Sequence, residues 1–225
     1  MSKNPHPFET LTPSFILDAV ESHGYWSDGR SFPLNSYENR VYQVGIEGSE
    51  PLIAKFYRPG RWTDEQILEE HELCFELVEK ELPVVAPMVK DGVSLFHSGD
   101  FRFALYPRKG GHAPELDNPD NLFILGRLLG RMHLVGAVKP FEHRPEVDVQ
   151  SYGHDSVAFI SEHFIPAELK LSYDSLTRDI LQLIEEIVAR VGDVRQIRVH
   201  GDCHGGNMLW RDDAPHFVDF DDSRM

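Results

Sequence analysis

Three polar side chains near the end of the chain have the types and spacing to hold a metal ion against a phosphate. Asp202 and Asn207 are five residues apart, and Asp219 follows after two short apolar runs separated by turn residues. That pattern predicts a β-hairpin from 208–210 and 217–218, with polar groups at its open end. Amide and carboxylate oxygens suit Mg²⁺, and a further carboxylate can accept the proton of an attacking hydroxyl. Phosphoryl transfer requires such a set.

The same loop contains His200, Cys203 and His204, which are residue types that bind zinc. A structural zinc site is therefore an alternative, although the glycines and the asparagine between them are poor zinc ligands. A surface turn without chemistry is a second alternative for the loop alone.

Composition limits the classes of protein to which the chain can belong. Its 225 residues suffice for one large domain or two small lobes. The formal net charge of −15 disfavours a nucleic-acid partner, and two cysteines fit a reducing compartment without a disulfide framework. Neither a transmembrane run nor the apolar core of a signal peptide is evident, so we expect a cytoplasmic protein with no membrane insertion.

Two strands and a helix precede this loop and are predicted to hold the phosphates. Strands are expected at 41–46 and 52–57, and Thr63 begins a helix with a capping box. Lys55 lies within the second strand and needs an acidic partner on that helix. Glu70 borders the buried stripe of the helix, whereas Glu69 is predicted to be solvated, so we pair Lys55 with Glu70. A strand-edge lysine and a surface glutamate are the alternative.

A strand at 101–106 ends at Pro107, which marks the predicted boundary between a first domain, 1–106, and a second, 107–225. Backbone groups from Ala104 to Tyr106 would there meet the edge of an adenine.

The second domain is predicted to be mostly helical. Asn118 and Pro119 begin a helix whose Gly126 and Gly130 would allow a close helix contact. Residues 139–154 are expected to form a surface connection. The strongest helical pattern is at 175–191.

The loop motif His200-Gly201-Asp202-x-His204-x-Gly206-Asn207-x-Leu209 resembles the aminoglycoside phosphotransferase and choline kinase family. Its spacing also matches the catalytic loop of protein kinases. More narrowly, 33–42, 55–62 and 67–71 resemble the bacterial stress response kinase A family. The resemblance implies an α+β fold, two-lobed and protein-kinase-like, of the aminoglycoside phosphotransferase type.

What the resemblance implies for function is an ATP- and Mg²⁺-dependent serine/threonine protein kinase of bacterial stress response. Asp202 would be the catalytic base, and Asn207 and Asp219 the Mg²⁺ ligands, with Asp219 also counted as catalytic. Lys55 and Glu70 would hold the phosphates.

Ser36 would be the loop hydroxyl nearest the γ-phosphate and a site of self-phosphorylation. The glycines usual in the phosphate-covering loop are absent, so Asn35, Ser36 and Asn39 would assist the backbone amides. We expect a monomer that acts on a protein bearing Ser or Thr.

The family continues for roughly another hundred residues, so the second lobe is expected to be truncated at Met225, with the hairpin and the 175–191 helix less well packed. A small-molecule kinase, acting on choline, homoserine, an aminoglycoside or a sugar, is the first alternative. A nucleotide-binding pseudokinase or scaffold is the second.

Overall fold

The computed structural model describes residues 7–225, so the N-terminal residues on which the absence of a signal peptide was predicted lie outside it. Within these residues, five α-helices and seven strands follow one another, with short π and 3₁₀ turns between some of them. They are α1 (Pro13–Glu21), β1 (Ser27–Leu34), β2 (Arg40–Ile46), β3 (Leu52–Phe56), α2 (Asp64–Glu79), β4 (Phe96–Ser98), β5 (Phe101–Pro107), α3 (Pro119–Gly136), α4 (Ser156–His163), α5 (Ala167–Val191), β6 (Met208–Arg211) and β7 (Ala214–Phe217).

The first half of the chain forms a five-stranded antiparallel sheet in the order β1-β2-β3-β5-β4. Strands β2, β3 and β5 confirm the predicted strands, and Lys55 on β3 pairs with Ala104 on β5. The predictions missed β1, because it is an exposed edge strand without apolar alternation. Helix α1 packs its buried Ile16 and Val20 against the sheet core.

Helix α2 begins as its capping box predicts. Thr63 accepts from the backbone N–H of Gln66, whose side chain accepts from the N–H of Thr63. The helical pattern places Ile67, Cys74 and Val78 on one apolar stripe; Ile67 and Cys74 are buried, whereas Val78 is exposed. Burial instead follows Leu73 and Leu77, which pack against α3 and the hairpin.

Helix α3 begins at its predicted cap, where Asn118 accepts from the N–H of Asp120. The predicted role of Gly126 and Gly130 is wrong, since a Cβ at either would meet nothing within 4 Å. The close approach occurs at Gly136, where a Cβ would lie 2.0 Å from the carbonyl oxygen of Arg198.

The predicted hairpin β6–β7 is present, although its second strand begins at Ala214, within the predicted turn, and both of its outer edges are covered. Trp210 exchanges backbone hydrogen bonds with His112, and Phe217 donates to the carbonyl of Pro83. Its apolar side chains Met208, Trp210 and Phe217 are buried. The hairpin therefore packs its apolar side chains within this chain, and the expected loss of stability relative to a longer relative stays a prediction.

Helix α5 begins earlier than predicted, at Ala167, and its apolar stripe is exposed. The stripe comprises Leu176, Ile180, Leu183, Ile184, Ile187, Val188 and Val191, while Leu181 is the buried residue of this helix. Within residues 7–225, no helix is long and apolar enough to cross a membrane.

Candidate active site

A cleft of about 300 Å³ lies between the sheet and the β6–β7 hairpin. Lys55, Glu70 and Tyr106 line it from the sheet and α2, and Asn207 and Asp219 line it from the opposite side. Four of the five were predicted from the sequence as phosphate or metal-binding residues, so the fold gathers them from four separate segments.

Lys55 stands at the centre of a group of carboxylates. Its Nζ lies 3.0 Å from Asp219 Oδ1, 3.2 Å from Glu70 Oε1 and 3.4 Å from Asp221 Oδ1. Burial disfavours the charged amine, but these three acids outweigh it and hold the pKa of Lys55 well above its usual range. The predicted contact between Lys55 and Glu70 is present, and the ammonium group is charged at any physiological pH.

Glu70 is buried and lies between two cations. Burial raises the pKa of its carboxyl, and the opposing charges of Lys55 and Arg144 hold it down in part. Burial also acts against the charge on Asp221, but Lys55, Arg61 and Arg144 prevail and its pKa is lowered. The buried side of the cleft is thus an ion network whose charges compensate one another.

The loop that carries Asp202 is held by its neighbours on both sides. Gly201 has φ +82°, and a Cβ there would lie 1.8 Å from the carbonyl oxygen of Asp222, so glycine is required. His200 Nε2 donates to the carbonyl of Val218 at 3.0 Å, and its Nδ1 accepts from the N–H of Asp202 at 3.3 Å. Burial lowers the pKa of His200 and so favours the neutral ring, and these two hydrogen bonds select the tautomer with the proton on Nε2.

The side chain of Asn207 is oriented by hydrogen bonds to Asp202. Its Nδ2 donates to the backbone carbonyl of Asp202 at 2.9 Å and to Asp202 Oδ2 at 3.2 Å. Both partners are acceptors, so the amide nitrogen faces them and Oδ1 remains available to a ligand. His204 lies beyond, with Nε2 3.5 Å from Asp202 Oδ2 and Nδ1 accepting from the N–H of Gly206.

Asp219 follows β7 with an unusual backbone. Its φ of 59° and ψ of 67° lie in the left-handed region, which Asp tolerates better than most residues. The side chain is half exposed and turns its carboxylate toward Lys55. Backbone pairing between Val218 N and the Asn207 carbonyl, at 3.0 Å, ties this residue to the Asp202 loop.

The available donor set fits a hard divalent cation better than zinc. Asn207 and the half-exposed Asp219 both line one cleft and carry hard oxygen donors. Mg²⁺ usually takes only one or two protein oxygens together with substrate phosphates. Among residues 7–225, no three His, Cys, Asp or Glu side chains converge as a metal cluster. The Nε2 atom of His200 is hydrogen-bonded to the carbonyl of Val218, so this nitrogen is not available to bind zinc.

Of the residues predicted to contact the nucleotide, Tyr106 lines the cleft, whereas Ala104 and Ser36 do not. Tyr106 lines the cleft, and its hydroxyl is 3.2 Å from that of Tyr57, which is 2.8 Å from His71 Nε2. Ala104 is buried beside Lys55 on the sheet and does not line the cleft. Ser36 donates to the carbonyl of Asn39 at 3.0 Å, and its neighbour Asn35 reaches the cleft instead.

Sequence reasoning missed two residues of the site. Asp221 lies two residues after Asp219, and its buried carboxylate contacts Lys55. A second acid so close to Asp219 was a usable signal. Arg144 had no signal, because it lies in a stretch rich in proline, histidine and charge that was predicted to be a surface connection.

The prediction that Glu69 is solvated is wrong. Its carboxylate accepts hydrogen bonds from three successive backbone N–H groups, those of residues 142–144, at 2.6 to 3.2 Å. Three adjacent amides that point to one carboxylate form an anion-binding concavity. Glu69 therefore anchors the distant 139–147 segment to α2.

Comparison with known proteins connects this site to a family. Residues 31–225 match the phosphotransferase enzyme family. The chain is 43% identical to stress response kinase A of Escherichia coli (strain K12) over 230 residues, which covers all of this chain and 68% of that protein. It is 41% identical to serine/threonine protein kinase RdoA of Salmonella typhimurium (strain LT2), again with all of this chain and 68% of that protein covered.

Solved structures agree in fold. Amicoumacin kinase hAmiN, solved with AMP-PNP, Ca²⁺ and Ami, superposes with a TM-score of 0.73 at 21% identity, over 94% of this chain and 64% of that one. A microcompartment-associated aminopropanol kinase gives a TM-score of 0.69 at 20% identity, over 93% and 70%. At these identities the likeness extends to the fold, and it confirms the predicted α+β kinase-like architecture.

Proposed function

The chain belongs to the phosphotransferase enzyme family, and from that premise we propose that it transfers the γ-phosphoryl group of ATP to a hydroxyl. One observation carries the proposal: the Lys55 ammonium lies within 3.2 Å of both Asp219 and Glu70, in a cleft that Asn207 also lines. A fixed cation beside oxygen ligands is what a triphosphate chain and its counter-ion require.

Each residue has a distinct role in this proposal. Asp202 is the base, because its half-exposed carboxylate is held by Asn207 Nδ2 and can accept a proton from an incoming hydroxyl. Lys55 neutralises phosphate oxygens, and Glu70 fixes its direction. The chain's contribution is largely positioning and charge complementarity.

Asn207 Oδ1 and the carboxylate of Asp219 are the groups that would hold Mg²⁺. When bound, the ion neutralises developing charge on the phosphates. Asp219 keeps its contact with Lys55 on one oxygen and offers the other, so the two cationic centres would share one carboxylate.

The nucleotide base would lie toward Tyr106, which lines the cleft. We retain the backbone from Ala104 to Tyr106 as its proposed contact, with Tyr106 as the residue of this stretch that reaches the cleft. The loop from Asn35 to Asn39 would cover the phosphates, with Ser36 the hydroxyl nearest the γ-phosphate and a candidate for self-phosphorylation. We keep the division after Tyr106 as the proposed boundary between the two lobes.

For the acceptor we propose a protein Ser or Thr, because the Salmonella relative is named a serine/threonine protein kinase. The Escherichia coli relative is named stress response kinase A, so we also propose a role in bacterial stress response. A cytoplasmic location and a monomeric state are proposed as the resemblance implies them. The formal charge of −15 speaks against a nucleic-acid acceptor.

A calorimetric titration with ATP, with and without Mg²⁺, tests the nucleotide site. We expect binding that strengthens when Mg²⁺ is present and that is lost in Lys55→Met. ATP labelled at the γ-position is then offered to protein substrates and to small hydroxyl compounds.

Label on protein Ser or Thr supports the proposed acceptor, and label on a choline-, homoserine-, aminoglycoside- or sugar-type hydroxyl would replace it with a small-molecule kinase. Tight nucleotide binding without transfer to any acceptor would indicate a pseudokinase. Failure to bind ATP at all would refute the proposal.

A further inference from the structure

The segment between α3 and α4 carries a buried arginine, Arg144, to which none of the sequence motifs described above assigns a role. We propose that Arg144 is a positioning residue for phosphoryl transfer: it fixes Glu70, and through it Lys55, relative to the segment that begins with Asp219. The inference rests on the proposed function, and it adds a residue to the site described above.

The guanidinium group of Arg144 makes four polar contacts with two parts of the molecule. On α2 it donates from Nε to the carbonyl of Gln66 at 2.7 Å, and Nη2 lies 3.4 Å from Glu70 Oε2. After β7 it donates from Nη1 to the carbonyls of Asp221 and Ser223, both at 2.8 Å. Its side chain is fully buried, so water does not compete for these donors.

The backbone beneath Arg144 is fixed as well. The carboxylate of Glu69 accepts hydrogen bonds from the backbone N–H groups of residues 142–144. Glu69 precedes Glu70 on α2, so α2 also holds the main chain of Arg144. Trp62 covers the guanidinium face at 4.6 Å from its ring centroid. A side chain anchored at both ends has little freedom to let its partners separate.

These contacts connect the two sides of the cleft through one cation. Glu70 offers one oxygen to Lys55 and the other to Arg144, and both ends of its carboxylate are thus set. The carbonyls of 221 and 223 follow the proposed metal ligand by two and four residues. A displacement of the arginine would therefore alter the spacing between Lys55 and Asp219.

The geometry requires the shape of arginine as well as its charge. Five N–H donors in a planar fork can reach acceptors in several directions, whereas a lysine ammonium at the end of a flexible stem cannot span all four. The charge also balances the site, because Lys55 and Arg144 face the buried acids Glu70 and Asp221.

Arg144→Gln tests the inference with two readouts. Calorimetry should give a dissociation constant for Mg·ATP that is about tenfold weaker, as for loss of a residue that orients a binding group. A short pulse of acetic anhydride, read by mass spectrometry, should modify Lys55 faster than in the unaltered chain, because its carboxylate partner is no longer fixed. Arg144→Lys should recover less than half of the lost affinity on a logarithmic scale.

Arg102→Gln is the matched control. Arg102 also pairs with an acid of α2, Asp64 at 2.9 Å, but at the helix start and away from the cleft. We expect a similar or smaller loss of thermal stability with ATP affinity and Lys55 labelling unchanged. Equal effects of the two substitutions on affinity and labelling would reduce Arg144 to a structural role and overturn the inference.

Two further outcomes are decisive. If Arg144→Gln does not fold, Glu69→Ala replaces it, because this variant keeps the guanidinium group and removes the anchor of its backbone. Glu69→Ala should weaken Mg·ATP binding and speed Lys55 labelling, both to a smaller extent. Unchanged labelling and affinity in that variant would refute the inference. If the unaltered chain binds no ATP, the proposed function fails, and Lys55 labelling alone then decides whether Arg144 holds this lysine.

Discussion

The two sides of the cleft are built in opposite ways. On the side of the sheet and α2, the side chains of Lys55 and Glu70 are only 6% and 2% exposed, and Arg144 is fully buried. On the side of the hairpin, the carboxylates of Asp202 and Asp219 are each 50% exposed. The first side satisfies its charges internally, and the second presents oxygen atoms to solvent.

That difference predicts that substitutions on the two sides of the cleft affect folding stability and activity differently. A buried ion network is costly to break, because each partner left behind remains uncompensated in a low-dielectric interior. An exposed carboxylate is stabilised by water in the absence of a ligand, so its loss is tolerated. We therefore expect substitutions on the hairpin side to reduce activity without unfolding the protein, and substitutions on the sheet side to do both.

The largest effect is expected on the exposed side. Asp202→Asn should reduce the rate of phosphoryl transfer by about 10²- to 10⁴-fold, as for loss of a general base. Mg·ATP affinity and melting temperature should stay near those of the unaltered chain, as measured by calorimetry. Asp212→Asn, in the exposed hairpin turn, serves as the control, and near-normal turnover in Asp202→Asn would rule out the base assignment.

On the buried side, Glu70→Gln should lower the free energy of unfolding by about 3 kcal/mol, because Lys55 and Arg144 lose their shared carboxylate. Urea denaturation measures the change. Glu72→Gln, on the same helix with an exposed partner in Lys139, should cost less than about 1 kcal/mol. Similar values for the two variants would contradict the contrast between the sides.

The buried side should also respond to pH through His71. Burial, together with Lys55 and Arg144, lowers its pKa from 6.5 to about 3, and the ring bonds Tyr57 and Ser94. As pH falls, His71 is therefore protonated in the unfolded chain before it is protonated in the folded protein. Its contribution to the free energy of unfolding is present above pH 6.5 and is lost below it. We expect a loss of about 2 kcal/mol between about pH 7 and pH 5.

Urea denaturation at both pH values measures that loss. His71→Gln, which keeps hydrogen-bonding groups, should flatten the profile, whereas His97→Gln on the surface should not. An equally steep profile in His71→Gln would assign the pH dependence to other groups.

The smallest expected effect is at Asp219. Asp219→Ala should weaken Mg·ATP binding by about tenfold, through loss of one metal ligand, as measured by calorimetry. Asp213→Ala is an apt control, because Asp213 shares the left-handed backbone, with φ 58°, but lies in the exposed hairpin turn. Comparable loss of affinity in both variants would point to backbone strain in place of ligand loss.

Local patterns predicted much of this architecture. The capping box of α2, the hairpin that follows Asn207 and the strand that carries Lys55 all depend on neighbouring residues, and each is present. The contact of Lys55 with Glu70 could be inferred because helix periodicity distinguishes a residue bordering the stripe from its neighbours.

What was missed depends on distant parts of the chain. Glu69 is held by amides more than seventy positions away, and Arg144 is buried by groups from α2 and from the end of β7. Neither residue type nor periodicity distinguishes such a partner from a solvated charge. Helix α5 is different, because its apolar stripe predicted a helix and its exposure agrees with the expectation that this helix is less well packed.

The left-handed backbone at Asp219 has a consequence for how this position can vary. Glycine would adopt the conformation at least as readily, so a laboratory selection for heat resistance alone is expected to drift toward glycine or asparagine here. A selection for catalysis would resist that drift. At position 219, therefore, thermal stability favours glycine or asparagine, whereas catalytic turnover favours aspartate.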